Sequence, residues 1–95
     1  MRAYELVLIV HPDLDEAAFN GILERVQGWI TEAGGEVTKV DLWGTRDMAY
    51  PIRKQTQGQY VLFEINIAPE FGIELERNLN LLEPVMRFLV VKKEQ

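Results

Sequence analysis

Cysteine is absent from this 95-residue chain, and histidine occurs once. Without cysteine there is no disulfide scaffold, no thiolate metal site and no thiol nucleophile. The lone histidine, His11, lies beside Pro12, Asp13 and Asp15. It lacks the companion nitrogen and sulfur ligands that zinc requires. The aspartates lack the glycine and distal glutamate of a calcium loop. The chain also has no G-x-G-x-x-G, P-loop or G-x-S-x-G signature. No cofactor or metal is therefore expected. His11, at a strand end near carboxylates, could serve as a general base, or it is a turn residue.

Long apolar runs are missing as well. The stretch at 1–10 falls short of the roughly 20 residues a membrane helix needs. It runs into His11-Pro12-Asp13, not into a small-residue cleavage site, so it does not look like a signal peptide. A cytoplasmic location and no membrane partner are expected. There are no heptads, fixed-period repeats or low-complexity tracts. Basic charge is also short. Ten Lys/Arg against fifteen Asp/Glu leave a net charge of −5, which taken alone argues against a nucleic-acid partner.

What is present suits one packed domain over 1–95, with 47% of residues apolar. Residues 2–10 read as a strand with Tyr4, Leu6, Leu8 and Val10 on one face and Glu5, Val7 and Ile9 on the other. Asp13 and Asp15 are both N-cap candidates for a helix over 16–33. Its apolar stripe is Phe19, Ile22, Leu23, Val26 and Ile30, and Gly34-Gly35 stops it. Residues 36–43 alternate with one slip at Lys39-Val40, which suggests a bulge. Gly44 marks a second irregularity before Met48-Ala49-Tyr50, and Pro51 places this strand at a sheet edge. The polar stretch 53–58 reads as a hairpin loop.

Residues 59–67 form a strong strand, with Val61, Phe63, Ile65 and Ile67 facing one way and Tyr60, Leu62, Glu64 and Asn66 the other. Pro69 suits the first turn of a second helix with Phe71, Leu75, Leu79 and Leu82 in its stripe. Glu83-Pro84 ends that helix. A last strand spans 85–92, followed by the polar end Lys92-Lys93-Glu94-Gln95. The order β-α-β-β-α-β predicts an α+β, ferredoxin-like sandwich. Its antiparallel sheet has strand order 4-1-3-2, and both helices lie on one face.

That arrangement leaves the other face open, carrying Glu5, Val7, Ile9, Leu62, Glu64, Arg87, Leu89 and Val91. A contiguous apolar patch signals a partner, although valine and isoleucine are also simply good strand formers. By segment, residues 1–34 carry −4, residues 35–68 carry 0 and residues 69–95 carry −1. The excess acid thus gathers on the first helix and its approach. Arg46, Arg53 and Lys54 fall on the second strand and hairpin, near Tyr50 and Tyr60. Arg87, Lys92 and Lys93 fall on the last strand. Interleaved cations and aromatics can grip phosphates and stack on bases, or they simply keep the surface soluble. Trp29 belongs at the core margin. Trp43, on the edge strand, either anchors a contact or packs over the sheet rim.

Three blocks resemble one known family. They are Met1-Arg2-Ala3-Tyr4-Glu5 with His11-Pro12 and Leu14-Asp15; Gly44-Thr45-Arg46-Asp47-Met48-Ala49-Tyr50-Pro51-Ile52 with Lys54 and Gly58-Gln59-Tyr60; and Val85 to Lys92. Together they look like bacterial small-subunit ribosomal protein six, along essentially the whole chain. The resemblance implies a structural ribosome-associated protein without catalytic activity or small-molecule substrate. It implies binding to the central domain of small-subunit ribosomal RNA beside a basic partner, small-subunit ribosomal protein eighteen. Arg2, Arg46, Arg87 and Lys92 become RNA-facing or partner-facing groups, with Tyr50, Arg53, Lys54 and Lys93 as further candidates. The partner face is assigned to Val7, Ile9, Trp43, Leu62, Leu89 and Val91. Ala3 and Asp47 replace basic residues the family often carries, which implies weak RNA affinity for the chain alone. The rival from another class is a homodimeric ferredoxin-like module that binds or turns over a small molecule through His11.

Overall fold

The computed structural model describes residues 1–93. Strand β1 (Arg2–Val10) leads to helix α1 (Glu16–Glu32), a long hairpin of β2 (Glu36–Ile52) and β3 (Gln55–Ile67), helix α2 (Phe71–Asn80) and strand β4 (Val85–Lys92). The four strands form one sheet in the order β2-β3-β1-β4, the expected 4-1-3-2 order read from its other edge. All pairings are antiparallel.

The expected alternation decides which face is covered. Leu6, Leu8 and Val10 of β1 and Val61, Phe63, Ile65 and Ile67 of β3 are buried. They pack in one cluster with Ile22, Leu23, Val26 and Ile30 of α1 and with Leu75 and Leu79 of α2. Leu82 lies past the end of α2 yet is also buried in that cluster. Trp29 and Phe19 pack partly buried at its margin. The N-cap is Asp15, whose carboxylate accepts from the Ala18 N–H at 2.8 Å. Asp13 does not cap; its own N–H donates to His11 Nδ1. Pro69 precedes α2 rather than entering it, and its carbonyl accepts from the Gly72 N–H.

The β2–β3 hairpin departs most from expectation. The loop expected over 53–58 is only a two-residue turn at Arg53-Lys54, and β3 already begins at Gln55. Both turn residues have positive φ, 50° and 65°. Such mirror-image turns match strand twist and normally use Asn-Gly, so Arg-Lys carried no sequence signal for one. The first bulge falls at Thr38, not at Lys39-Val40, because the register skips between Val37 and Lys39. The Thr38 hydroxyl there donates to the Glu64 carbonyl. A second skip frees Trp43, next to Gly44 at φ +79°.

The hairpin is longer than the strand beside it. Pairing with β1 ends at Val10–Gln59, so the hairpin tip projects beyond the end of β1 and reaches towards β4. The Arg53 guanidinium donates to the Glu83 carbonyl and reaches that of Val85. Gly58 makes the approach possible: a Cβ there would stand 2.5 Å from Ile9 Cγ2. Val37 at the start of β2 packs against the core, but further along that strand Val40 and Leu42, on the same side as the core, are exposed.

Candidate nucleic-acid interface

The open face is built in rows by the strand register. One row runs Lys39, Glu64, Glu5, Val91; the next runs Asp41, Leu62, Val7, Leu89; the third runs Gly44, Tyr60, Ile9, Arg87. The charged row is internally neutralised. Glu64 pairs with Lys93 and, at 3.9 Å, with Lys39. The Lys93 hydrogen bond holds the Glu64 carboxyl below its ordinary pKa. The same bond holds the Lys93 ammonium above its own. The middle row is apolar apart from Asp41 at its β2 end. Leu89 in this row and Val91 in the row beside it keep 55% and 42% of their surface exposed, whereas on the opposite face Leu6, Leu8 and Val10 of β1 and Val61, Phe63, Ile65 and Ile67 of β3 are buried.

The third row ends in aromatics and guanidinium groups. Trp43 stacks on Tyr60, with ring centroids 6.4 Å apart and planes 13° from parallel. Asp41 holds the Trp43 indole by accepting from Nε1 at 3.1 Å. The Arg46 guanidinium lies 5.2 Å from the Trp43 ring centre, within cation–π range. Across the face, Arg87 donates to the Tyr50 hydroxyl and lies 5.9 Å from its ring centre. Hydroxyl and ring thus hold one cation beside the hairpin, which explains why Tyr50 and Arg87 meet although 37 residues separate them.

The candidate residues therefore divide. Arg46, Tyr50 and Arg87 gather at the hairpin end of the open face, with Val7, Ile9, Trp43, Leu62, Leu89 and Val91 beside them. Lys93 is committed to Glu64. Arg53 is committed to backbone carbonyls, and Lys54 is exposed at the turn. Arg2 and Lys92 fall, by alternation, on the helix side of the sheet, away from Arg46 and Arg87. Sequence reasoning missed Glu64 as the hub of the charged row. Its partners are Lys39 on β2 and Lys93 just past the end of β4, so only the register could reveal it. His11 is a turn residue: its Nδ1 accepts a backbone N–H, its own N–H donates to Pro84, and its carbonyl accepts from Gln59. No cluster of three His, Asp or Glu capable of holding a metal exists among the described residues. No described helix is long and apolar enough to cross a membrane.

Comparison with known proteins supplies the family. The family model described as Ribosomal protein S6 matches residues 3–92. The chain belongs to the ribosomal protein S6 family. Similar members include the small ribosomal subunit protein bS6 of Clostridium novyi, 44% identical over 95 residues and the whole of both chains. That of Caldanaerobacter subterraneus is 42% identical over 94 residues, 99% of each chain. The crystal structure of 30S ribosomal protein S6 from Thermotoga maritima superposes with a TM-score of 0.91 at 28% identity, covering 97% of this chain and 87% of that one. The S6 fold is ferredoxin-like, as the pattern of elements predicted. The S6 family consists of structural, ribosome-associated proteins of the small subunit and not of enzymes, which removes the rival reading through His11.

Proposed function

We propose that residues 1–95 act as one unit that binds the central domain of small-subunit ribosomal RNA as the acidic half of a heterodimer. The other half is a small basic protein, small-subunit ribosomal protein eighteen. The observation that carries this reading is the open sheet face, where half-buried Val7, Ile9 and Leu62 and exposed Leu89 and Val91 form an apolar patch beside two aromatic-held guanidinium groups. Exposed contiguous apolar surface calls for a protein partner, and guanidinium groups are suited to phosphate. Val7, Ile9, Trp43, Leu62, Leu89 and Val91 supply the apolar contact area of this face, which the partner shares with the RNA where Val7, Ile9 and Leu89 adjoin Arg87. Arg46 and Arg87 are the principal RNA contacts, with Tyr50 placing Arg87. Lys54 is a secondary phosphate contact at the hairpin tip. Arg2, Lys92, Lys93 and the pinned Arg53 contribute at the periphery.

Charge distribution supports the division of labour. The open face carries four cations (Lys39, Arg46, Arg87, Lys93) and four carboxylates (Glu5, Glu36, Asp41, Glu64), although the whole chain carries −5. With so few free cations, RNA binding depends shallowly on salt, and a basic partner must provide the rest. The test is sedimentation with small ribosomal subunits and gel filtration with protein eighteen. The expected result is association in low salt and a one-to-one heterodimer. A stable homodimer that never sediments with small subunits overturns the reading.

A further inference from the structure

On the third row of the open face lies a hollow of ≈ 200 Å³, walled by Tyr60 on one side and Arg87 on the other, with Val7, Ile9 and Leu89 beneath. Sites for drug-sized ligands run to about 300–1,000 Å³, so this one has room for a single planar group. We propose that it holds one unpaired guanine of the RNA, with its face against Tyr60 and its edge towards Arg87. The proposal rests on the RNA-binding reading above and deepens it by assigning a base-specific subsite.

The chemistry selects this occupant. Tyr60 offers a ring already backed by Trp43, and unpaired bases in RNA stack on aromatic faces. The apolar floor accepts a base face without leaving a polar group unpaired. Arg87 hydrogen-bonds only the Tyr50 hydroxyl among the described residues, so a five-donor fork keeps most of its donors for a ligand. Guanine presents adjacent O6 and N7 acceptors that match such a fork, whereas adenine presents a donor beside its N7. A lysine or arginine from a basic partner would meet Arg87 as a like charge. An aliphatic side chain would cover the guanidinium and give it no acceptor. Of the carboxylates on this face, Asp41 accepts from the Trp43 indole and Glu64 is paired with Lys93, and neither lines the hollow.

The test titrates the nitrogen-15-labelled chain with the single-stranded RNA pentamers UUGUU, UUAUU and UUUUU, following the amide signals of Ile9, Tyr60, Arg87 and Leu89. UUGUU should bind at least about fivefold more tightly than UUAUU, the lower end of what a bidentate base contact gives. Arg87→Met should abolish that preference, and Tyr60→Phe should keep it. Equal response to all three pentamers, or shifts confined to other surfaces, overturns the proposal. In assembled small subunits, an ultraviolet cross-link from Tyr60 to a guanosine supports it, and a cross-link from Tyr60 to a protein overturns it. Normal incorporation without a Tyr60–RNA cross-link defeats this subsite alone. Failure to sediment with small subunits at all defeats the RNA reading beneath it.

Discussion

Single residues explain how a long hairpin can lie so close to the end of a short strand. Gly58 faces Ile9 with no room for a methyl group. Gly58→Ala should therefore destabilise the protein by about 1–3 kcal/mol, the usual range for overpacking, measured as a lower urea midpoint at unchanged slope. Glu64 makes a different kind of point. Its pKa is depressed by the Lys93 hydrogen bond, so its contribution to stability is complete above the ordinary carboxylate range. It disappears as pH falls through the lower, folded value. Lys93 is the mirror case: its contribution is complete below its ordinary value and is lost as pH rises through the raised one. The Tm difference between the natural chain and Glu64→Gln should thus be present near neutrality and vanish in acid. A difference that grows as pH falls would contradict the assigned pairing.

At the scale of elements, the β2–β3 hairpin is the part that carries both irregularity and candidate chemistry. Its outer end has no β1 partner to pair with, and it is tied to the rest of the molecule by Arg53 at Glu83 and Val85 and by the Tyr50–Arg87 contact. Hydrogen bonds from a charged donor contribute about 1.5–3 kcal/mol. Arg53→Met should accordingly speed amide hydrogen exchange across residues 48–57 while leaving the centres of β1 and β3 protected, since exchange reports local opening. Equal acceleration throughout would mean that Arg53 supports the whole fold. The same element shows where legibility failed. Arg53-Lys54 looks like part of a polar loop because neither residue favours positive φ, and the turn forms because the paired strands on both sides impose it. Thr38 gave no sign of a bulge because its stabilising acceptor, the Glu64 carbonyl, lies 26 residues away.

For the whole molecule, the balance between acid and base becomes a matter of placement. The acid excess lies on α1 and its approach, and the open face is electrically balanced. Replacing Arg46 and Arg87 together with glutamine should weaken incorporation into small subunits while the chain still folds, with only a modest loss of thermal stability from the Tyr50–Arg87 contact. A cation–π interaction at an exposed site contributes only about 0.5–1 kcal/mol. Quantitative sedimentation at several salt concentrations, with a melting curve on each variant, reads both effects. Loss of folding in the double variant would make these arginines structural.

Elements, strand order and the two sheet faces were all readable from periodicity, because burial on one side forces alternate residues in a strand and a three-to-four spacing in a helix. Leu6, Leu8 and Val10 could face only the helices, and Val7 and Ile9 only the open side. The family, too, was legible in the block from Gly44 to Ile52. Tertiary structure alone decided which candidates act together. Tyr50 and Arg87 meet, Lys93 is taken by Glu64, and Arg53 is occupied by carbonyls. Arg2 and Lys92 fall on the other side of the sheet from Arg46. Those facts depend on register and on the reach of a hairpin past the end of its neighbour. Contacts between residues tens of positions apart leave no trace in local spacing.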